Sequence, residues 1–143
     1  MFDMKSDLNF TRAANLTVGN NTQNSALIDM QGWSALTVLV QTGVITAAGG
    51  GITFKLQHSD TTVGTDFADC TAAEVIGAAL PVDDDADDNL LKGTIGYRGN
   101  KRYVRLVAVG SASANGIVNA VYVRGRSGTT RPVPPVGATT AAT

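Results

Sequence analysis

The chain has 143 residues, 43% hydrophobic and 16% charged, with a formal net charge of −1. This is the size and composition of one globular domain, able to build a core without a metal or disulfide staple. The near-neutral charge argues against a protein made to wrap nucleic acid, the single Cys70 excludes an intrachain disulfide and fits a reducing compartment, and no apolar run reaches the roughly 18–20 residues that span a bilayer.

The opening MFDMKSD places Asp3, Lys5 and Asp7 where a signal peptide needs an unbroken apolar stretch. The expectation is a soluble chain made in the cytoplasm. Residues 1–24 are rich in Asn and Thr, with scattered Phe10, Leu16 and Val18 and little periodicity, and read as an N-terminal arm. Asn9-Phe10-Thr11, Asn15-Leu16-Thr17 and Asn20-Asn21-Thr22 match the glycosylation acceptor pattern, which without a secretion signal is an accident of this composition.

Residues 25–127 carry the patterned hydrophobicity and read as β throughout. ALIDM is a short strand before Trp33. In SALTVLVQ, Leu36, Val38 and Val40 face one way and Thr37 and Gln41 the other, with Leu39 breaking the pattern. Gly43 and the triplet Gly49-Gly50-Gly51 bracket a loop, so this run and the next form a hairpin or a corner. ITFKLQH alternates cleanly, with Ile52, Phe54 and Leu56 opposed to Thr53, Lys55 and Gln57, the period of a strand with one wet face.

Residues 72–80 are the best helical stretch, but they are short, contain Gly77 and end at Pro81, so no helix is expected. LLKGTIGYR puts Leu91, Ile95 and Tyr97 on one face, and RYVRLVAV does the same for Val104, Leu106 and Ala108. Gly99-Asn100 between them predicts a tight hairpin turn. GIVNAVYVRG is apolar on both faces, which marks a central strand or one covered by another subunit. Residues 128–143 hold Pro132, Pro134 and Pro135 and predict an extended C-terminal arm. Short strands divided by Gly, Asn and Asp turns predict an all-β fold, a single jelly-roll-like β-sandwich flanked by two arms, with a barrel as the lesser alternative.

The catalytic inventory is thin. His58 is the only histidine, and Ser59 and Asp60 beside it point to alternate faces of a strand, so a nucleophile–base–orienter set is not made. Cys70 has no second cysteine for a zinc site and reads as a half-buried thiol. Asp83, Asp85 and Asp87 fit the first ligand positions of a calcium loop, but Asp88 stands where Gly is needed and Thr94 where Glu is needed, so a solvated acidic loop is favoured and loose cation binding stays open. Asp66 and Asp69 are turn formers before they are a glycosidase pair. The glycine triplet lacks the Lys-Ser/Thr of a phosphate loop. No catalytic, metal or cofactor residue is assigned.

Arg98, Lys101, Arg102 and Arg105, interleaved with Tyr97 and Tyr103, form the one basic cluster. Arg and Tyr are enriched at protein contacts, and with the chain slightly acidic a protein partner is favoured over nucleic acid. The candidate partner-binding residues are Arg98, Lys101, Arg102, Tyr103, Arg105 and Tyr122. A carbohydrate-binding role would need a solvent-facing aromatic platform from Trp33, Tyr97, Tyr103 or Tyr122.

The stretch LQHSDTTVGTDFADC, followed by IGYRGNKRYVRLVAVG and an alternating apolar strand, resembles small structural proteins of tailed bacteriophages. The match lies at residues 56–60, 66–69 and 96–105, in an order that spans roughly residues 25–125. The resemblance implies a non-enzymatic virion protein, a capsid decoration (cement) protein on the outer shell, with a head–tail joining or tail component as the nearest rival. It implies the major capsid protein as partner, a homotrimer on a symmetric lattice, no nucleic acid and no membrane.

Overall fold

A computed structural model describes residues 7–47, 51–80, 91–111 and 114–125. The chain folds as two antiparallel sheets packed face to face. Its strands are β1 (Leu8–Val18), β2 (Thr22–Asn24), β3 (Ile28–Asp29), β4 (Ala35–Ala47), β5 (Ile52–Ser59), β6 (Ala68–Asp69), β7 (Val75–Ile76), β8 (Leu91–Tyr97), β9 (Tyr103–Gly110) and β10 (Ala114–Gly125), with one turn of 3₁₀ helix at Gly64–Asp66. The first sheet runs β1-β10-β4-β8-β7 and the second β2-β9-β5-β6, with β3 also pairing with β9. The pairing is nested: β1 with β10, β2 with β9, β4 with β8 and β5 with β6.

The alternation seen in the sequence sets which side chains fill the space between the sheets. Leu36, Val38 and Val40 of β4 meet Val118, Ala120 and Tyr122 of β10, facing Ile52 and Leu56 of β5 and Val104, Leu106 and Ala108 of β9. Each such side chain, moved out of water, contributes about 1.5–3 kcal/mol.

Three expectations are corrected. Residues 8–24 are no arm: β1 lies against β10 and buries Ala13, Ala14 and Val18. A bulge between Arg12 and Ala14 turns both alanines inward and breaks the period of two ahead of Leu16 and Val18, which hid the strand. Secondly, β8 and β9 form no hairpin, because they belong to different sheets and Gly99-Asn100 carries the chain across the end of the sandwich. Gly99 is needed there for closeness, since a Cβ on it would run into the Tyr97 phenol. Thirdly, Leu91 faces outward. Val40 pairs with Gly93 and Gln41 with Leu91, so Lys92 is an extra residue that reverses the facing of the strand beyond Gly93, whose φ is 132°.

The choice between hairpin and corner falls to the corner, as β4 and β5 lie in different sheets and β4 continues through Gly43 to Ala47. The Pro-rich stretch 128–143, the acidic run 83–88 and Gly49-Gly50 lie outside the described residues.

Candidate interaction surfaces

Tyr122 sits at the centre of the molecule and cannot meet a partner, contrary to the sequence expectation. It is fully buried. Its hydroxyl reaches from the first sheet to the second, 3.0 Å from the Leu106 N–H, 2.5 Å from Ser25 Oγ and 2.9 Å from the Ala26 carbonyl to which it donates. The chain between β2 and β3 leaves the ladder here, and Ser25 Oγ and Tyr122 Oη supply the acceptors that Leu106 would otherwise lack. Burial pushes the phenol pKa upward.

The basic residues do not converge on one patch. Arg98 donates from Nε to the Ala73 carbonyl at 2.6 Å. Lys101 pairs with Asp60, and Arg102 grips Asp29 through both Nη2 (2.8 Å) and Nε (3.1 Å) while covering the Tyr103 ring at 5.0 Å. Arg105 donates to Gln57 Oε1 at 2.7 Å and lies over Phe67 at 4.2 Å. The Arg102 hydrogen bond holds the Asp29 carboxyl below its ordinary range, and the Lys101 hydrogen bond does the same for Asp60. These cations already have partners within the chain, which leaves little charge to offer a phosphate backbone.

His58 is buried at the end of β5. Tyr97 Oη accepts the Lys101 N–H at 3.1 Å and shares a hydrogen bond with His58 Nδ1 at 3.0 Å. The other ring nitrogen lies 3.9 Å from Glu74 Oε2, beyond hydrogen-bond reach. Burial pushes the Tyr97 phenol to about 12 and the Cys70 thiol to about 12, so this thiol stays protonated at neutral pH. Ser59 Oγ accepts the Thr61 N–H. Asp66 accepts from Thr61, and Asp69 from Lys55 and Gln57, as turn and strand contacts. Among the described residues no group of three or more His, Cys, Asp or Glu is placed to hold a metal.

The feature that sequence reading glimpsed only in β10 is the outer face of the first sheet. Phe10 lies beside Val123, Val123 beside Thr37, and Thr37 beside Gly96, against which Ile76 packs. The next row holds Arg12, Val121, Leu39 and Thr94. Of the seven most exposed large hydrophobic residues among those described, five (Phe10, Val44, Ile76, Leu91 and Ile117) lie on this face, between 40% and 63% exposed. Arg12 is the one charge at its paired outward positions among the described residues, and past Val121 and Leu39 the face turns polar, with Asn15, Asn119 and Gln41 side by side in the adjoining row. Apolar side chains depleted of charge are the signature of an interface core. The motif could have been found in β1, where Phe10 and Arg12 alternate with Thr11, had the strand been recognised.

At the end of the sandwich the turn after β3, the end of β5 and the β8–β9 crossing line an open hollow of about 370 Å³. Met30, Trp33 and Tyr97 contribute its apolar wall, and Gln31, Asp60 and Asn100 are among its polar groups. The Arg124 guanidinium stacks on the Trp33 ring at 4.7 Å and donates to the Asp29 carbonyl at 2.7 Å. No protein-family model matches this chain, and no curated protein matches it.

Proposed function

We propose that this chain is a non-enzymatic structural protein of a tailed-phage virion: a decoration (cement) protein, assembled in the bacterial cytoplasm, that binds the major capsid protein on the outer shell and stabilises the head. The apolar band on the outer face of the first sheet, made by Phe10, Val123, Val121, Leu39 and Ile76 with Arg12 as its one paired charge, is the observation that carries this reading. A β body in which Lys55, Lys101 and Arg102 are paired with carboxylates of the same chain and which shows an exposed apolar band suits mechanical adhesion. The linear order of turns shared with small phage structural proteins supports the same assignment, as does the nested pairing, which we read as a jelly roll, an architecture that recurs in viral capsids. Closed symmetry on a capsid lattice favours a homotrimer.

The reading predicts that purified virions carry this chain in copy numbers comparable with the major shell protein, and that stripping it lowers the heat resistance of the capsid. A handful of copies per particle would overturn it in favour of a head–tail joining or tail component.

A further inference from the structure

We propose that the hollow at the end of the sandwich binds a small neutral saccharide. Its size lies within the range of small-ligand clefts. The chemistry of its lining narrows the ligand class by elimination. Its cations are matched, Lys101 by Asp60 and Arg102 by Asp29, so an anion would have to break an existing ion pair to enter. Asp60 is matched in turn, which disfavours a cation. A purely apolar ligand would strip water from Gln31, Asp60, Asn100 and the charged rim without replacing its hydrogen bonds, at a cost for each group left unpaired.

What remains is a neutral molecule with one flat apolar face and many hydroxyls. A pyranose has that form. Its C–H face can lie on the indole of Trp33, a large rigid surface that Arg124 holds in place, while the Gln31 and Asn100 amides donate to or accept from hydroxyl groups and the Asp60 carboxylate accepts from them. Trp33 and Asn100 come from different connections, and the end of β5 brings Asp60 between them, so the site exists only in the folded sandwich. The contact area is small and open, so the affinity belongs in the millimolar range. This site stands apart from the shell-binding face, and neither reading depends on the other.

Trp33 is the only tryptophan in the chain, so its fluorescence reports on this hollow alone. The full chain is titrated with glucose, galactose, N-acetylglucosamine and maltose, with glycerol as a control. A saturable change in Trp33 emission with at least one sugar, with a millimolar midpoint, is expected. Asn100→Ala and Gln31→Ala, both at exposed positions, should each weaken it severalfold while far-UV circular dichroism is unchanged. Either variant alone suffices should the other misfold. The proposal fails if no sugar saturates, if glycerol gives the same curve, if the folded variants titrate like the parent, or if only a peptide of the shell protein moves the signal.

Discussion

The outer faces of the two sheets are built on opposite plans. On the second sheet, Lys55 pairs with Asp69 at 2.8 Å, Asp69 also accepts from Gln57 at 2.7 Å, and Gln57 receives Arg105, which in turn covers Phe67. That face is stitched across β6, β5 and β9 by polar groups that satisfy one another in water. On the first sheet a band of outward positions holds Phe10, Val123, Val121 and Leu39, with Arg12 as the one charge at the paired outward positions among the described residues, before Asn15, Asn119 and Gln41 make the face polar. Both sheets bury an apolar inner face, so the difference between the outer faces is not what closes the core. In our reading the two sides meet different surroundings: solvent for the second sheet and a protein surface for the first.

The comparison is broken most directly by placing a carboxylate on the dry side. Leu39→Asp introduces a charge between Val121 and Thr94, remote from the ion pairs of the second sheet. An unpaired carboxylate under a dry contact costs several kcal/mol, so attachment to the shell should weaken on the order of a hundredfold or more. Thermal unfolding of the free protein should move by far less than attachment, because Leu39 is only partly buried at its outward position. Co-sedimentation with stripped capsids measures the first quantity and calorimetry the second. Unchanged attachment would show that the first sheet's outer face is not the contact.

The next effect belongs to neither face but to the tie between them. Tyr122→Phe keeps the ring and removes the hydroxyl that serves Leu106, Ser25 and Ala26. Leaving these buried groups short of a partner should cost about 1–3 kcal/mol of stability. Urea unfolding should show a lower midpoint with an unchanged slope, while attachment per folded molecule stays as it was. A change in attachment at constant stability would mean that Tyr122 senses the partner after all.

How much of this was legible in the sequence follows from where periodicity survives. β5 alternates without a break, and Ile52, Leu56, Lys55 and the rest lie where the pattern puts them. β1 escapes the pattern because a bulge turns the adjacent Ala13 and Ala14 both inward and so breaks the period of two ahead of Leu16 and Val18. Leu91 was misplaced for a related reason: Lys92 is an inserted residue, and a single insertion inverts facing. The β8–β9 hairpin failed because a Gly-Asn pair marks a turn without saying whether the next strand returns to the same sheet. The basic cluster was found as a set of residues, but its neutralisation was invisible, since Asp29 and Asp60 come from far earlier in the chain. For the same reason the hollow beside Trp33 could not be read: three connections build it.

Acid offers a way to separate the faces without mutation. The Lys55 and Gln57 hydrogen bonds hold the Asp69 carboxyl below its ordinary 3.8, Arg102 and the Gln31 N–H do so for Asp29, and the Thr71 N–H and hydroxyl hold Glu74 below 4.5. A carboxyl whose folded pKa is depressed contributes its stability in full above the unfolded value, and that contribution disappears as pH falls through the folded value. Stability should therefore decline below about pH 4. The mirror case is Cys70 and Tyr97, raised from 9.0 and 10.0 to about 12, whose contribution is whole below the unfolded values and is lost between about pH 9 and 12. The first sheet's outward positions hold no acid among the described residues, so attachment of folded protein should be flat from pH 5 to 8. A pH-dependent attachment in that interval would point to the charged face or the sandwich end instead.

The smallest effect tests the stitched face itself. Lys55 and Asp69 are 43% and 55% exposed in their side chains, so water screens the pair. Lys55→Ala should cost no more than about 0.5 kcal/mol, a shift near the limit of a thermal melt. Asp69→Ala should cost more than Lys55→Ala, because Asp69 also anchors Gln57, which in turn positions Arg105 over Phe67. If stability were the purpose of these charges, so small a return would be hard to explain. Their effect is better sought in association: a charged, self-satisfied face resists adventitious contact with another sheet, whereas the dry face invites one. Replacing Lys55, Gln57 and Asp69 together by Thr should therefore leave the melting temperature within a few degrees while raising light scattering of the free protein. If scattering stayed unchanged, the stitching would not be what keeps the second face solvated.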